Sequence, residues 1–64
     1  MKKYFVILYS EDMKKVKRES SLTPNYAAAE RWANKYREVG QCEIGNSEED
    51  PVLADSPRGE WVEI

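Results

Sequence analysis

Histidine is absent from the 64 residues. That removes every Ser–His and Cys–His nucleophile pair, and every histidine-ligated metal site, that this chain could build alone. A single cysteine, Cys42, excludes an intramolecular disulfide framework and a cysteine-rich zinc knuckle. With the acidic Glu43 beside it and no base in reach, Cys42 reads as a small packed hydrophobe rather than a nucleophile. Serines 10, 20, 21, 47 and 56 all sit in or beside turn-like segments without a partner base. The three glycines, at 40, 45 and 59, form no phosphate-cradling or dinucleotide fingerprint. Long apolar runs are missing too. The only one, Tyr4 to Tyr9, follows Met1-Lys2-Lys3 but is closed by Glu11 and Asp12. It is too short for a signal peptide, which needs about 7–15 apolar residues, and far too short for a membrane span. The expectations are no enzyme activity, no cofactor, no membrane partner and a cytoplasmic location.

What is present is a chain 41% hydrophobic and 34% charged, long enough for one small domain over residues 1–64. Residues 3–9 are aromatic and β-branched and predict a strand, ended by Ser10-Glu11-Asp12. Residues 14–20 return as a lysine-rich edge strand around Val16. Thr23-Pro24 has the form of an N-cap followed by proline at the first helical position, and predicts a helix over about 24–39. Its apolar stripe is Ala29, Trp32, Ala33, Tyr36 and Val39, and Gly40 stands where a left-handed C-cap belongs. Gln41 to Ile44 alternates as a third strand that Gly45 and Asn46 end, residues 46–57 form an acidic loop, and Glu60 to Ile64 alternates as a fourth strand. The order ββαββ predicts an α+β domain, an antiparallel sheet with one helix on one face. Ile44, Val62 and Ile64 are expected to face the helix, with Glu43, Trp61 and Glu63 on the other side.

The first strand conflicts with a one-sided sheet. Tyr4, Val6 and Leu8 point one way and Phe5, Ile7 and Tyr9 the other, and both sets are apolar. Three covers are open for the second face: Val52 and Leu53 folding back from the 46–57 segment, a second copy of the chain in a homodimer, or a foreign partner. Each large apolar side chain left uncovered forgoes about 1.5–3 kcal/mol of burial, so the choice matters energetically.

Charge is unevenly placed. Through Gly40 nine basic residues stand against five acidic ones; from Gln41 onward only Arg58 stands against seven acids. The N-terminal excess includes Lys14, Lys15, Lys17 and Arg18, a basic hairpin that Lys2 and Lys3 could join, which makes nucleic-acid binding an alternative function. No aromatic residue interleaves that run to stack bases. In the C-terminal half the oxygen-rich run Asn46 to Asp50 lacks the spacing of a calcium loop, so no metal is expected. Carboxylates with an anchoring aromatic suit a basic protein surface instead: Tyr4 and Trp61 as anchors, and Glu43, Glu48, Glu49, Asp50 and Glu63 as charge partners.

The layout resembles a known group. A compact start, Met1-Lys2-Lys3-Tyr4-Phe5-Val6-Ile7, leads through a polar hairpin to an alanine-rich helix carrying an aromatic, Ala27-Ala28-Ala29-Glu30-Arg31-Trp32-Ala33, and then to short strands. It is similar to the small ββαβ(β) proteins that phages and mobile elements use against their hosts, such as certain anti-CRISPR proteins and a phage inhibitor of bacterial RNA polymerase. The resemblance is one of length and element order, and it implies inhibition by occupying a host protein or nucleoprotein complex without catalysis. A self-associating accessory protein is the remaining alternative.

Overall fold

The computed structural model describes all 64 residues. The chain runs β1 (Tyr4–Tyr9), β2 (Lys15–Arg18), α1 (Tyr26–Tyr36), β3 (Cys42–Asn46), α2 (Pro51–Asp55) and β4 (Val62–Glu63). The four strands form one antiparallel sheet in the order β3-β1-β2-β4, a single small α+β domain. No helix is long and apolar enough to cross a membrane.

β1 is the central apolar strand, and it is covered on both faces. Alternation and register divide the sheet: Val6 and Leu8 stand beside Ile44 and Cys42 on one face, and Ile7 and Tyr9 beside Arg18 and Val16 on the other. α1 covers the first face with Ala29 and Ala33, which with Val6 are wholly buried. Cys42 completes the contact, its thiol donating to the Ala33 carbonyl at 3.3 Å. On the second face Phe5 and Ile7 pack on Leu53 of α2, with Tyr9, Val16, Leu22, Ala54 and Val62 around them.

The α+β architecture is as expected, and α2 is where the structure corrects one segment of it. The 46–57 segment is not a continuous loop: Asn46 ends β3, and Asp50-Pro51 starts a helix, proline taking the first position whose N–H needs no acceptor. Of the three alternative covers for the second face, the structure shows the folded-back segment, with Leu53 sealing it while Val52 is exposed. Gly45 belongs to β3 rather than ending it, paired with Phe5, and a side chain there would run into Ile7. Val62 packs in the Phe5–Ile7–Leu53 cluster, and Ile64 lies beside Ile7 and Leu53, so neither faces α1 as the alternation predicted.

Both ends of α1 also differ from the sequence reading. Asn25, not Thr23, is the N-cap: its Oδ1 accepts from Ala27 N at 2.9 Å and Ala28 N at 3.3 Å. Thr23 is held by backbone bonds to Tyr4, and its Oγ1 accepts from Asn25 N. At the other end the helix stops at Tyr36, Gly40 does not adopt a left-handed conformation, and Val39 is exposed.

One buried hydroxyl repairs the β1–β2 ladder where β2 ends. Ser20 Oγ accepts from the Val6 N–H at 2.8 Å and donates to the Ser21 carbonyl at 3.0 Å. The pairing then resumes as an isolated bridge between Tyr4 and Thr23. At the opposite end of the hairpin, Met13 takes a left-handed φ of 62°. Asp12 Oδ1 fastens that turn by accepting from Ser10 Oγ and Lys14 N. The Ser10 hydroxyl, with the backbone donor beside it, holds the Asp12 carboxyl below its ordinary range.

Candidate functional site

The acidic residues of the C-terminal half do not share one surface with Trp61. β3 and β4 are opposite edges of the sheet, three strand spacings or about 14 Å apart. Glu43 lies on the α2 face, opposite Ile7, whereas Glu63 lies opposite Lys15 on the other face of β2. Trp61 joins Glu63 there, with the Lys17 ammonium 4.6 Å from its ring centroid. Tyr4 is engaged elsewhere, edge-on to Tyr26 at 5.2 Å. The composite site expected from Tyr4, Trp61 and five carboxylates is therefore divided between two faces.

The basic hairpin is dismantled as well. Arg18 turns inward on the α2 face, donating from Nε to the Leu53 carbonyl, from Nη1 to the Ser20 carbonyl and from Nη2 to the Ser56 carbonyl. Three carbonyls, two of them from α2 and the residue that ends it, occupy its fork. Lys17 is drawn to Glu19 at 3.1 Å, where it is the one group that meets the buried Glu19 Oε2. Only Lys14 and Lys15 of the four remain exposed. Lys2 and Lys3 cannot join them, being at the far end of β1, a strand about 20 Å long. Lys2 instead meets Glu48 at 3.7 Å.

What the structure does assemble is a shallow groove of about 170 Å³ where α2 leaves the sheet uncovered. Ile7, Tyr9, Val16, Leu53 and Ile64 line it, and Glu43 and Asp50 stand over it. Sequence and fold converge here. Asn46 Oδ1 accepts from the N–H groups of Glu48 and Glu49, turning the chain back so that Asp50 arrives beside Gly45. The missing side chain at Gly45 leaves room for the Asp50 carboxylate, whose Oδ2 would lie 3.0 Å from a Cβ there. Glu48 and Glu49 stay at the turn, exposed, outside the groove.

Tyr9 couples the apolar floor to the charged rim. Its hydroxyl donates to Glu43 Oε1 at 2.5 Å. That bond, with burial and then the charges of Glu43 and Asp50, pushes the phenol up to about 12 from its ordinary 10. The neutral phenol is the form the fold favours, so its contribution to stability is complete below pH 10 and disappears as the pH rises through about 12. Ultraviolet titration of the wild type minus that of Tyr9→Phe isolates this group. Glu43→Gln should return its midpoint most of the way towards 10, and an unmoved midpoint would remove Glu43 as the cause.

The groove could hold an apolar side chain flanked by a cation. No group of three or more acidic or thiol side chains is placed to hold a metal ion. Of the expected partner-binding residues, Glu43 and Asp50 come together, while Tyr4, Glu48, Glu49, Trp61 and Glu63 lie apart from them. Ile7, Tyr9, Val16 and Ile64 were not expected in the site. The apolar outer face of β1 signalled that some surface needed a cover, and the unseen helix decided which part stays open. No protein-family model matches the chain, and no curated protein or solved structure matches it either.

Proposed function

We propose that the protein is a non-enzymatic binding protein that docks the groove beside α2 onto a basic surface of a larger host protein or nucleoprotein complex, inhibiting it by occupancy. The observation that carries this reading is the pairing of two carboxylates, Glu43 and Asp50, with an apolar lining in which Tyr9, Val16 and Ile64 are accessible above the buried Ile7 and Leu53. An apolar floor alone would accept many surfaces. Carboxylates above it select a segment in which a lysine or arginine accompanies the apolar side chain, and opposite charge speeds its arrival. Tyr9 contributes as an aromatic contact whose hydroxyl keeps the Glu43 carboxylate aimed over the floor.

The test compares baits rather than merely collecting partners. Immobilised wild-type protein and the double variant Glu43→Lys/Asp50→Lys are exposed to the same host lysate at low and high salt. The expected result is a basic protein retained by the wild type at low salt, released at high salt, and not retained by the variant. The control Lys14→Glu/Lys15→Glu should retain it. Equal retention by wild type and groove variant, with both folded by circular dichroism, would remove the groove from the binding surface.

A further inference from the structure

A second concavity lies on the α1 side of the sheet, in the angle between that helix and the β2–β4 edge, and its reading is independent of the acidic groove. Trp32, Lys35 and Tyr36 form one wall, and Ser20, Ser21 and Arg58 the other, around a volume of about 260 Å³. Trp32 and Tyr36 are one helical turn apart on the same stripe, and each is only half-buried. Lys35 and Arg58 have no carboxylate within 4.0 Å, since the ion pairs of the molecule are Lys2–Glu48 and Lys17–Glu19. Arg58 Nε donates to the Glu19 carbonyl at 2.8 Å, which fixes the guanidinium while its two terminal nitrogens make no hydrogen bond within the protein. The position of Arg58 depends on Gly59, whose φ of 85° turns the chain and whose N–H donates to the Arg18 carbonyl at 2.8 Å.

We infer that this cleft binds a nucleotide unit, with the phosphate held by Arg58 and Lys35 and the base laid against Trp32 and Tyr36. A guanidinium fork meets phosphate oxygens in pairs, and an ammonium adds a mobile point charge. Aromatic rings beside cations are the arrangement that stacks bases with little regard to sequence. A simple carboxylate would leave the rings unused, and an apolar ligand would leave two cations desolvated without a partner.

The probes are a fluorescein-labelled single-stranded oligothymidylate and, separately, adenosine monophosphate, both at low ionic strength. Binding is read by anisotropy and by quenching of Trp32 fluorescence in the Trp61→Phe background, where Trp32 is the only indole. The expected result is saturable binding of the oligonucleotide below about 100 μM, weakened at least about tenfold by Lys35→Glu and by Arg58→Gln, and weakened by added salt. Lys14→Glu/Lys15→Glu, which changes two cations outside the cleft, should stay within about twofold of wild type. Binding of the mononucleotide alone would assign the cleft to a free nucleotide, and binding of the oligonucleotide alone to a strand; both support the site. The inference is overturned if neither probe binds up to about 100 μM, or if the Lys14/Lys15 variant loses as much as Lys35→Glu. Lys35 is exposed in the last turn of α1, so Lys35→Glu should lower the melting temperature by only a few degrees, the effect of a surface charge on the helix dipole, and read binding on a folded protein.

Discussion

Arg18→Ala should lower the unfolding free energy by at least about 3 kcal/mol, since hydrogen bonds to a charged group contribute about 1.5–3 kcal/mol each and two of its three are well formed. The partners are the carbonyls of Leu53, Ser20 and Ser56, so the side chain fastens α2 to the β2 end of the sheet. Two further outcomes separate this clasp from a surface charge. Because the acceptors are carbonyls rather than carboxylates, the loss should change little with salt. Because they are three and spread around a planar fork, Arg18→Lys should recover less than half of it. A denaturant titration measures all of these. A change within about 0.5 kcal/mol, the usual range for a surface substitution, would return Arg18 to the solvent-facing role expected of it in the basic hairpin.

Leu53→Ala should lose about 2–5 kcal/mol, the range for emptying a buried leucine site. A domain of this size has only about 3–10 kcal/mol in total. Leu53 is 6% exposed and closes over Phe5 and Ile7, whereas its neighbour Val52 is 66% exposed. Val52→Ala should therefore stay within about 0.5 kcal/mol, although the two residues adjoin and are both aliphatic. The contrast, read as two denaturation midpoints, asks whether α2 is the cover for the second face of β1. Equal small effects would mean that this face is closed by something other than α2.

The strongest patterns in the chain survived folding. β1 announced itself by a run of six apolar and aromatic residues, and the Ala29–Ala33 stripe found the sheet. Less was legible where two signals competed. Thr23 and Asn25 are both good caps on either side of Pro24, and backbone pairing of Thr23 with Tyr4 settled the choice in favour of Asn25. Asp50-Pro51 was a helix start written in the sequence, but a five-residue helix inside an acidic segment has too few positions to display a period. The candidate site suffered most. Alternation within the last strand is visible in the residues, yet which face each parity takes depends on its pairing with β2, and that put Val62 with Leu53 and Trp61 with Lys17. The acceptors of Arg18 are main-chain atoms, which carry no side-chain signature at all.

Lys17 and Arg18 are consecutive, yet the first reaches the indole side of the sheet and the second the α2 side. The two surfaces are therefore not independent regions that could change separately. Slippage by a single position in that strand would bring either Lys17 or Glu19 to the place where the guanidinium meets the Leu53 and Ser56 carbonyls, and either Val16 or Arg18 to the place beside Trp61. Neighbouring residues with opposite duties make this short strand the hinge of the protein's chemistry: correct phasing there sets up both surfaces together, and an error spoils both at once.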